Sequence, residues 1–272
     1  KKLYLSLCQL KNNKVTINST TLSDSIVIIP TYNEKENIAK IIEAVFSLNK
    51  SFHILIVDDG SPDGTATIVK ELQFKYPKLL FIEERRGKLG LGTAYIHGFK
   101  WSLDRDYDFI YEMDADFSHN PKDLVRLYDA AIDCGGMSVG SRYVSGGKLE
   151  NWPWDRILLS YGASLYVRMI TWMPVKDPTA GFVCYSSQIL EEMDFDKIRF
   201  IGYAFQIEMK FASWKLGYKI KEVPITFVDR KIGVSKMSKG IIKEAMLGVL
   251  NMQWQSATGN FVKMIKRIRV NF

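Results

Sequence analysis

The sequence is poor in the residues that build covalent or metal scaffolds. Its three cysteines, Cys8, Cys134 and Cys184, are scattered, which supports neither a disulfide framework nor a thiolate metal centre and points to a reducing compartment. The three histidines, His53, His97 and His119, are equally dispersed, which argues against a histidine zinc site. No apolar run approaches the roughly 18–20 residues that a membrane-spanning helix needs. The glycine-rich stretch Gly87–Gly92 reads G-x-x-G-x-G. That is neither the phosphate loop G-x-x-x-x-G-K-[ST] nor the dinucleotide fingerprint G-x-G-x-x-G. Internal repeats, low-complexity stretches and sharp linkers are also lacking.

What remains is an ordinary globular composition over 272 residues, enough for one large α/β domain. Residues 1–23 read as a leader or flexible arm. Leu3–Cys8 follows two lysines but is too short for a signal peptide, and Lys11 and Lys14 interrupt it. The net charge of +7 is unevenly placed: after Arg230 come Lys231, Lys236, Lys239, Lys243, Lys263, Lys266, Arg267 and Arg269, with Glu244 the single acid. Met246, Leu247, Leu250, Trp254 and Phe261 interleave with these cations. Residues 236–272 thus read either as a basic amphipathic region for a membrane surface or as a solvated helix packed on the domain. A nucleic-acid partner rests on the basic tail alone and is not expected.

The rest of the chain alternates. Ser25–Pro30, His53–Val57, Leu79–Ile82 and Asp108–Met113 are apolar runs of buried-strand type, each followed by a stretch of helical spacing. After the first run, Asn33 and Glu36 are placed as a capping box for the next helix. Such alternation implies a doubly wound, mostly parallel sheet. In such a sheet ligands bind beyond the carboxyl ends of the strands. Three strands end there in acids: Glu34, then Asp58 and Asp59, then Asp114 and Asp116. Asp114 and Asp116 lie two apart where a strand frays into a turn, so their carboxylates can converge. Two hard oxygen donors suit Mg²⁺ or Mn²⁺, completed by substrate phosphates. In the second half, Asn151–Trp154 reads as a mobile loop with tryptophans for a lipid edge, and a helix from Asp155 to about Trp172 carries Arg156, Ser160 and Arg168.

Seven motifs follow in one order: IIPTYNE (28–34), VDDGSPDGT (57–65), GKLGLGTAY (87–95), MDADFSHNP (113–121), GSRYVSGG (140–147), DPTAGF (177–182) and FVDRKIGVSK (227–236). Together they resemble family 2 glycosyltransferases of GT-A fold, and among these the polyprenol-phosphate mannosyltransferases, over about residues 24–255. The resemblance implies a single GT-A domain over 24–235 with C-terminal amphipathic helices. It implies an inverting, metal-dependent transfer of mannose from GDP-mannose to a polyprenyl (dolichyl) phosphate, at the cytoplasmic face of a membrane.

The resemblance also assigns roles. Pro30, Tyr32, Glu34, Val57 and Asp59 would line the nucleotide pocket. Asp114 and Asp116 would hold Mg²⁺ or Mn²⁺ against the diphosphate, with Ala115 beside them. Arg230 and Lys236 would sit near the diphosphate, and Arg142, Arg156 and Ser160 would meet the acceptor phosphate. Asp116, Arg142, Arg156 and Arg230 would form the catalytic set. Ser118 stands where some relatives have a glutamine that adds a metal ligand. Some relatives also carry membrane-spanning helices, so attachment here would fall to the C-terminal region, a partner subunit or the lipid acceptor. Two other readings stay open: the same fold with another donor such as UDP-glucose, and a non-catalytic nucleotide-sugar-binding membrane subunit.

Overall fold

The computed structural model of the protein describes residues 23–229 and 239–267. The arm expected over residues 1–23 lies outside this range except for Ser23, as do Arg230 and Lys236. The first apolar run forms β1 (Ser25–Thr31), followed by α1 (Ile38–Phe46), β2 (His53–Asp58), α2 (Thr65–Lys75), β3 (Leu80–Glu84), α3 (Leu91–Leu103), β4 (Phe109–Glu112) and α4 (Asp123–Cys134). The later part holds β5 (Met137–Ser141), β6 (Lys148–Glu150), α5 (Trp154–Thr171), β7 (Val183–Ser186), α6 (Ser187–Glu191), α7 (Tyr203–Lys215), β8 (Ile220–Pro224), β9 (Thr226–Val228), α8 (Lys239–Ala257) and α9 (Asn260–Ile265).

Seven strands form one sheet in the order β3-β2-β1-β4-β7-β5-β8. β1 pairs in parallel with β2 and β4, and β2 with β3. β7 runs antiparallel to both of its neighbours, β4 and β5. A small parallel ribbon, β6 with β9, stands apart.

Alternation within β1 shows why the sheet is covered on both sides. Ile26 and Ile28 pack with Tyr95 and Phe99 of α3, while Val27 and Ile29 pack with Ile41, Ile42 and Val45 of α1 and Leu127 of α4. Successive strand residues face opposite sides, so a strand buried on both faces must be apolar throughout. Gly98 lets α3 settle onto β1: a Cβ there would come within 2.7 Å of the Ile28 side chain.

The helix after β1 departs from the expected capping box. α1 begins at Ile38, its cap is Asn37 without a side-chain hydrogen bond, and Asn33 has φ +60°. The reason lies in the next loop. Ser61 Oγ accepts the Asn33 amide, Thr65 Oγ1 accepts that of Glu34, and Asp63 accepts that of Lys35, each at 3.0 Å. These cross-loop bonds replace a local cap.

The C-terminal helices are part of the core. Val249 and Met252 of α8 and Phe261 and Ile265 of α9 are buried, whereas Met246, Leu247, Leu250 and Trp254 are exposed. Phe261 is therefore no surface contact, because it packs against Phe211 of α7.

Candidate active site

The adjacent strands β2, β1 and β4 bring their carboxyl ends side by side, and with them the acid-bearing loops. The β1 and β2 loops are locked together. Asp58 accepts from Thr31 Oγ1 at 2.8 Å, from the Ser61 amide at 2.8 Å and from Ser61 Oγ at 2.6 Å. Asp59 pairs with Arg85, whose Nε donates to Oδ1 at 2.6 Å and whose Nη1 reaches Thr93 Oγ1 at 2.8 Å. Lys88 lies 5.1 Å from the centre of the Tyr32 ring. The segment from Arg85 to Gly92 is thereby tied to Tyr32 and Asp59, and it contributes two cations, Arg85 and Lys88, that the sequence motifs left without a role. Glu34 accepts the Asn37 side-chain amide at 3.0 Å, and Val57 is wholly buried behind the loop. Pro30 sits at the end of β1, paired with Val57.

Beyond β4 the chain turns sharply at Asp114–Ser118, with Phe117 at φ +60°. Ala115 is buried, while Asp114 and Asp116 are half-buried. The buried Ser118 donates its amide to Asp116 Oδ1 at 3.0 Å and its hydroxyl to the same oxygen, which fixes the carboxylate's rotation. The Asp114 amide donates to His119 Nδ1 at 3.3 Å. Burial pulls the His119 imidazolium down to about 4, so the ring is neutral at physiological pH. It stacks on Phe182 at 4.8 Å and meets Phe227 edge-on at 5.4 Å. No group of three or more His, Cys, Asp or Glu side chains among the described residues is placed to hold a metal alone. Two half-buried carboxylates fit a hard divalent cation that takes its other ligands from water and phosphate.

The other half of the site comes from β5, α5 and the turn before β7. Arg142 follows β5, and the buried Asp177 grips it. Asp177 Oδ2 accepts the Arg142 amide at 2.9 Å and Nε at 2.7 Å, and Oδ1 accepts Nη2 at 2.6 Å. Burial alone would raise the Asp177 carboxyl, but the guanidinium outweighs it and holds it below the ordinary value. Arg156 donates Nη1 to both oxygens of Asp229 at 2.8 Å, and its guanidinium lies 4.0 Å from the centre of the Trp152 ring. Ser160 Oγ accepts from Tyr143 at 2.8 Å. The Arg142 guanidinium stands 5.3–5.9 Å from the rings of Tyr143, Trp152 and Phe227. Arg142, Arg156 and Ser160 are thus gathered around one aromatic cluster, and Phe227 and His119 join it to the Asp114–Ser118 turn. Trp152 belongs to this cluster, packed edge-on against Phe227 at 5.5 Å, rather than to a lipid edge. Trp154 is 76% exposed.

Several residues at this site receive no role from the motifs. Asp177 opens DPTAGF and Asp229 lies within FVDRKIGVSK, yet their arginine partners lie 35 and 73 positions away. Glu112, at the end of β4, and Lys210, on α7, are both fully buried. Burial pushes the Glu112 carboxyl up and pulls the Lys210 ammonium down, each opposed by the other's charge. Their alternating or helical sequence context gives no hint of this electrostatic interaction.

Known proteins resemble this chain in sequence and in fold. The family model described as glycosyl transferase family 2 matches residues 26–198. The chain is 46% identical over 226 residues to a polyprenol monophosphomannose synthase of Mycolicibacterium smegmatis, covering 83% of this chain and 85% of that protein. It is 43% identical over 224 residues to an undecaprenyl-phosphate mannosyltransferase of Micrococcus luteus, covering 82% and 91%. Among solved structures it resembles a mannosyltransferase of Pyrobaculum calidifontis in complex with GDP-Man and Mn²⁺ (TM-score 0.55, 18% identity, 94% of this chain and 71% of that one). It also resembles a glucosyl-3-phosphoglycerate synthase of Mycobacterium tuberculosis in complex with Mn²⁺, UDP and phosphoglyceric acid (TM-score 0.58, 15% identity, 86% and 78%). The fold is that of the GT-A glycosyltransferases, and by its sequence match and its relatives the chain belongs to glycosyl transferase family 2.

Proposed function

We propose that the protein transfers mannose from GDP-mannose to a polyprenyl phosphate, giving polyprenyl-phosphate β-mannose. The observation that carries this reading is the gathering of Arg142, Arg156 and Ser160 beside the Asp114–Ser118 turn, because an acceptor that is itself a phosphate needs cations of its own. The names of the two relatives supply the chemical class.

A phosphate monoester is largely ionised at neutral pH and attacks without an enzymic base. The protein's task is to hold two anions in line against their repulsion. Pro30, Tyr32, Glu34, Val57 and Asp59 would hold the nucleotide, with Lys88 and Arg85 behind them. Arg230 and Lys236 would act on the diphosphate. Asp114 and Asp116 would hold Mg²⁺ or Mn²⁺, with Ala115 alongside and Ser118 fixing Asp116. When bound, that ion neutralises charge developing on the departing diphosphate. Arg142 and Arg156 would receive the incoming phosphate, since a planar guanidinium matches phosphate oxygens. In-line displacement inverts the anomeric carbon, so an α-linked donor gives a β product.

The acceptor's tail lies in a bilayer, and no described helix is long and apolar enough to cross one. The protein would work at the surface of the membrane that holds this tail, and the cytoplasmic face is what the family resemblance implies. Exposed side chains support this. Trp154, Leu158, Tyr161, Leu165, Met169 and Trp172 recur every three or four residues along α5, the helix that also carries Arg156. Leu247, Leu250 and Trp254 do so on the neighbouring α8, with Met246 exposed beside them. Exposed apolar side chains in a helical stripe with tryptophan at both ends suit a lipid surface.

The test is transfer itself. The protein is incubated with Mg²⁺, a short polyprenyl phosphate and labelled GDP-mannose or labelled UDP-glucose. Label from GDP-mannose should enter the organic phase. Label entering from UDP-glucose instead would give the donor to uridine, and label entering from neither would overturn the reading.

A further inference from the structure

Lys210 is a fully buried lysine whose ammonium donates only to uncharged oxygens: Ala180 O at 2.5 Å, Gln206 O at 3.1 Å and Gln206 Oε1 at 3.2 Å. Ala180 belongs to the turn before β7. The far side of the same turn is held by Glu222 of β8, which accepts the amides of Lys176 at 2.8 Å and Asp177 at 2.9 Å. A cation thus grips a carbonyl of this turn while an anion grips its amides. Between them Asp177 holds Arg142 by Nε and Nη2, and Thr179 Oγ1 takes Nη2 as well, at 2.8 Å. The guanidinium is bound along one edge, and the hydrogens that neither partner engages are those on Nη1.

Stability alone is a poor reason for this arrangement, because well-packed apolar residues often replace buried ions without loss. A fixed orientation of Arg142 is a better one, since bidentate pairing is strongly directional. We infer that Lys210 is a positioning residue for the acceptor half of the site: it fixes the Asp177–Ala180 turn, and through Asp177 it holds Arg142 with the Nη1 edge presented to a phosphate monoester. This inference rests on the acceptor assigned under the proposed function.

The test compares wild type, Lys210→Met, Asp177→Asn and the double variant. Farnesyl phosphate binding is followed by phosphorus NMR, and GDP with Mn²⁺ by calorimetry. Lys210→Met should weaken farnesyl phosphate about tenfold and leave GDP within twofold. The double variant should be no weaker than Asp177→Asn alone, because residues acting along one path are not additive. If Lys210→Met does not fold, Lys210→Gln, which remains polar, is read in its place. Loss of both ligands together, loss of neither, or losses that add to those of Asp177→Asn would reduce Lys210 to a structural role and overturn the inference. So would a wild-type protein that does not bind farnesyl phosphate. Wild type that binds farnesyl phosphate but transfers no mannose would refute the proposed reaction, and the binding comparison would still decide the role of Lys210.

Discussion

Replacing Arg156 by alanine separates two effects that the structure allows to be weighed. Arg156 and Asp229 are partly exposed, at 32% and 23%, so their ion pair contributes up to about 1 kcal/mol. The guanidinium over Trp152 adds about 0.5–1 kcal/mol. The folded state should therefore lose about 0.5–2 kcal/mol, roughly 1–8 °C in Tm for a domain of this size. Losing a charged partner to a phosphate costs more, about 2–3 kcal/mol, or roughly 30–150-fold in acceptor affinity. Asp229→Asn is the matched control: it breaks the same pair but keeps the guanidinium. Its Tm should fall less, by the ion-pair share alone, while acceptor binding should hold or tighten by up to about fivefold, because Arg156 no longer has to leave a carboxylate. Initial rates against polyprenyl phosphate at saturating GDP-mannose measure the first effect, and calorimetry of GDP with Mn²⁺ checks the donor side. An Arg156→Ala enzyme with an unchanged acceptor KM, or with collapsed donor affinity, would refute the assignment.

Asp116→Asn removes one anionic ligand and keeps the shape; GDP binding with Mn²⁺ should weaken strongly while the unliganded Tm holds or rises, and equal calorimetric affinity would dismiss the metal pair. Leu158→Glu with Leu165→Glu places charge on the exposed stripe of α5, so co-sedimentation with anionic vesicles should fall while GDP binding persists. Sedimentation equal to wild type would move the contact elsewhere. Cutting the chain after Leu250 is no substitute, because Met252, Phe261 and Ile265 are core. Burial raises the Glu208 carboxyl to about 7 while it accepts the amides of Arg199 at 2.9 Å and Phe200 at 3.0 Å. The folded chain then keeps a proton that the unfolded chain releases near 4.5, so stability contributed by Glu208 is lost as pH rises from about 4.5 to 7. Glu208→Gln should flatten that slope in urea midpoints taken at pH 5 and 8, and curves parallel to wild type would contradict the raised value.

The parallel half of the fold is legible because strands buried on both faces must be continuously apolar, as Ile26–Ile29 and Ile54–Val57 are. The direction of β7 is not legible: Val183–Ser186 has the same apolar character whichever way it runs, and only its ladder with β4 decides. The Asn33 capping box is misread because Ser61, Thr65 and Asp63 capture the loop's amides from a distance in sequence. At the site, motif order brings out Asp114, Asp116 and Arg142. It also contains Asp177 and Asp229, but not their pairing with Arg142 and Arg156, and it leaves out Lys210, because those contacts cross distances that no local pattern encodes.

The antiparallel insertion of β7 works as a ruler. The carboxylates proposed to hold the metal, Asp114 and Asp116, follow β4, whereas the turn that grips Arg142 precedes β7, with Val183 facing Glu112 on one side and Val139 on the other. A slip of one residue along these ladders would exchange the faces of the strand. A slip of two would keep the faces but shift the turn by about 6.6–6.8 Å. The spacing between the phosphate that leaves and the phosphate that attacks can therefore change along this strand only in coarse steps. Because the 177–180 turn is itself held from both sides, finer adjustment of this spacing falls to the turn at 142–147.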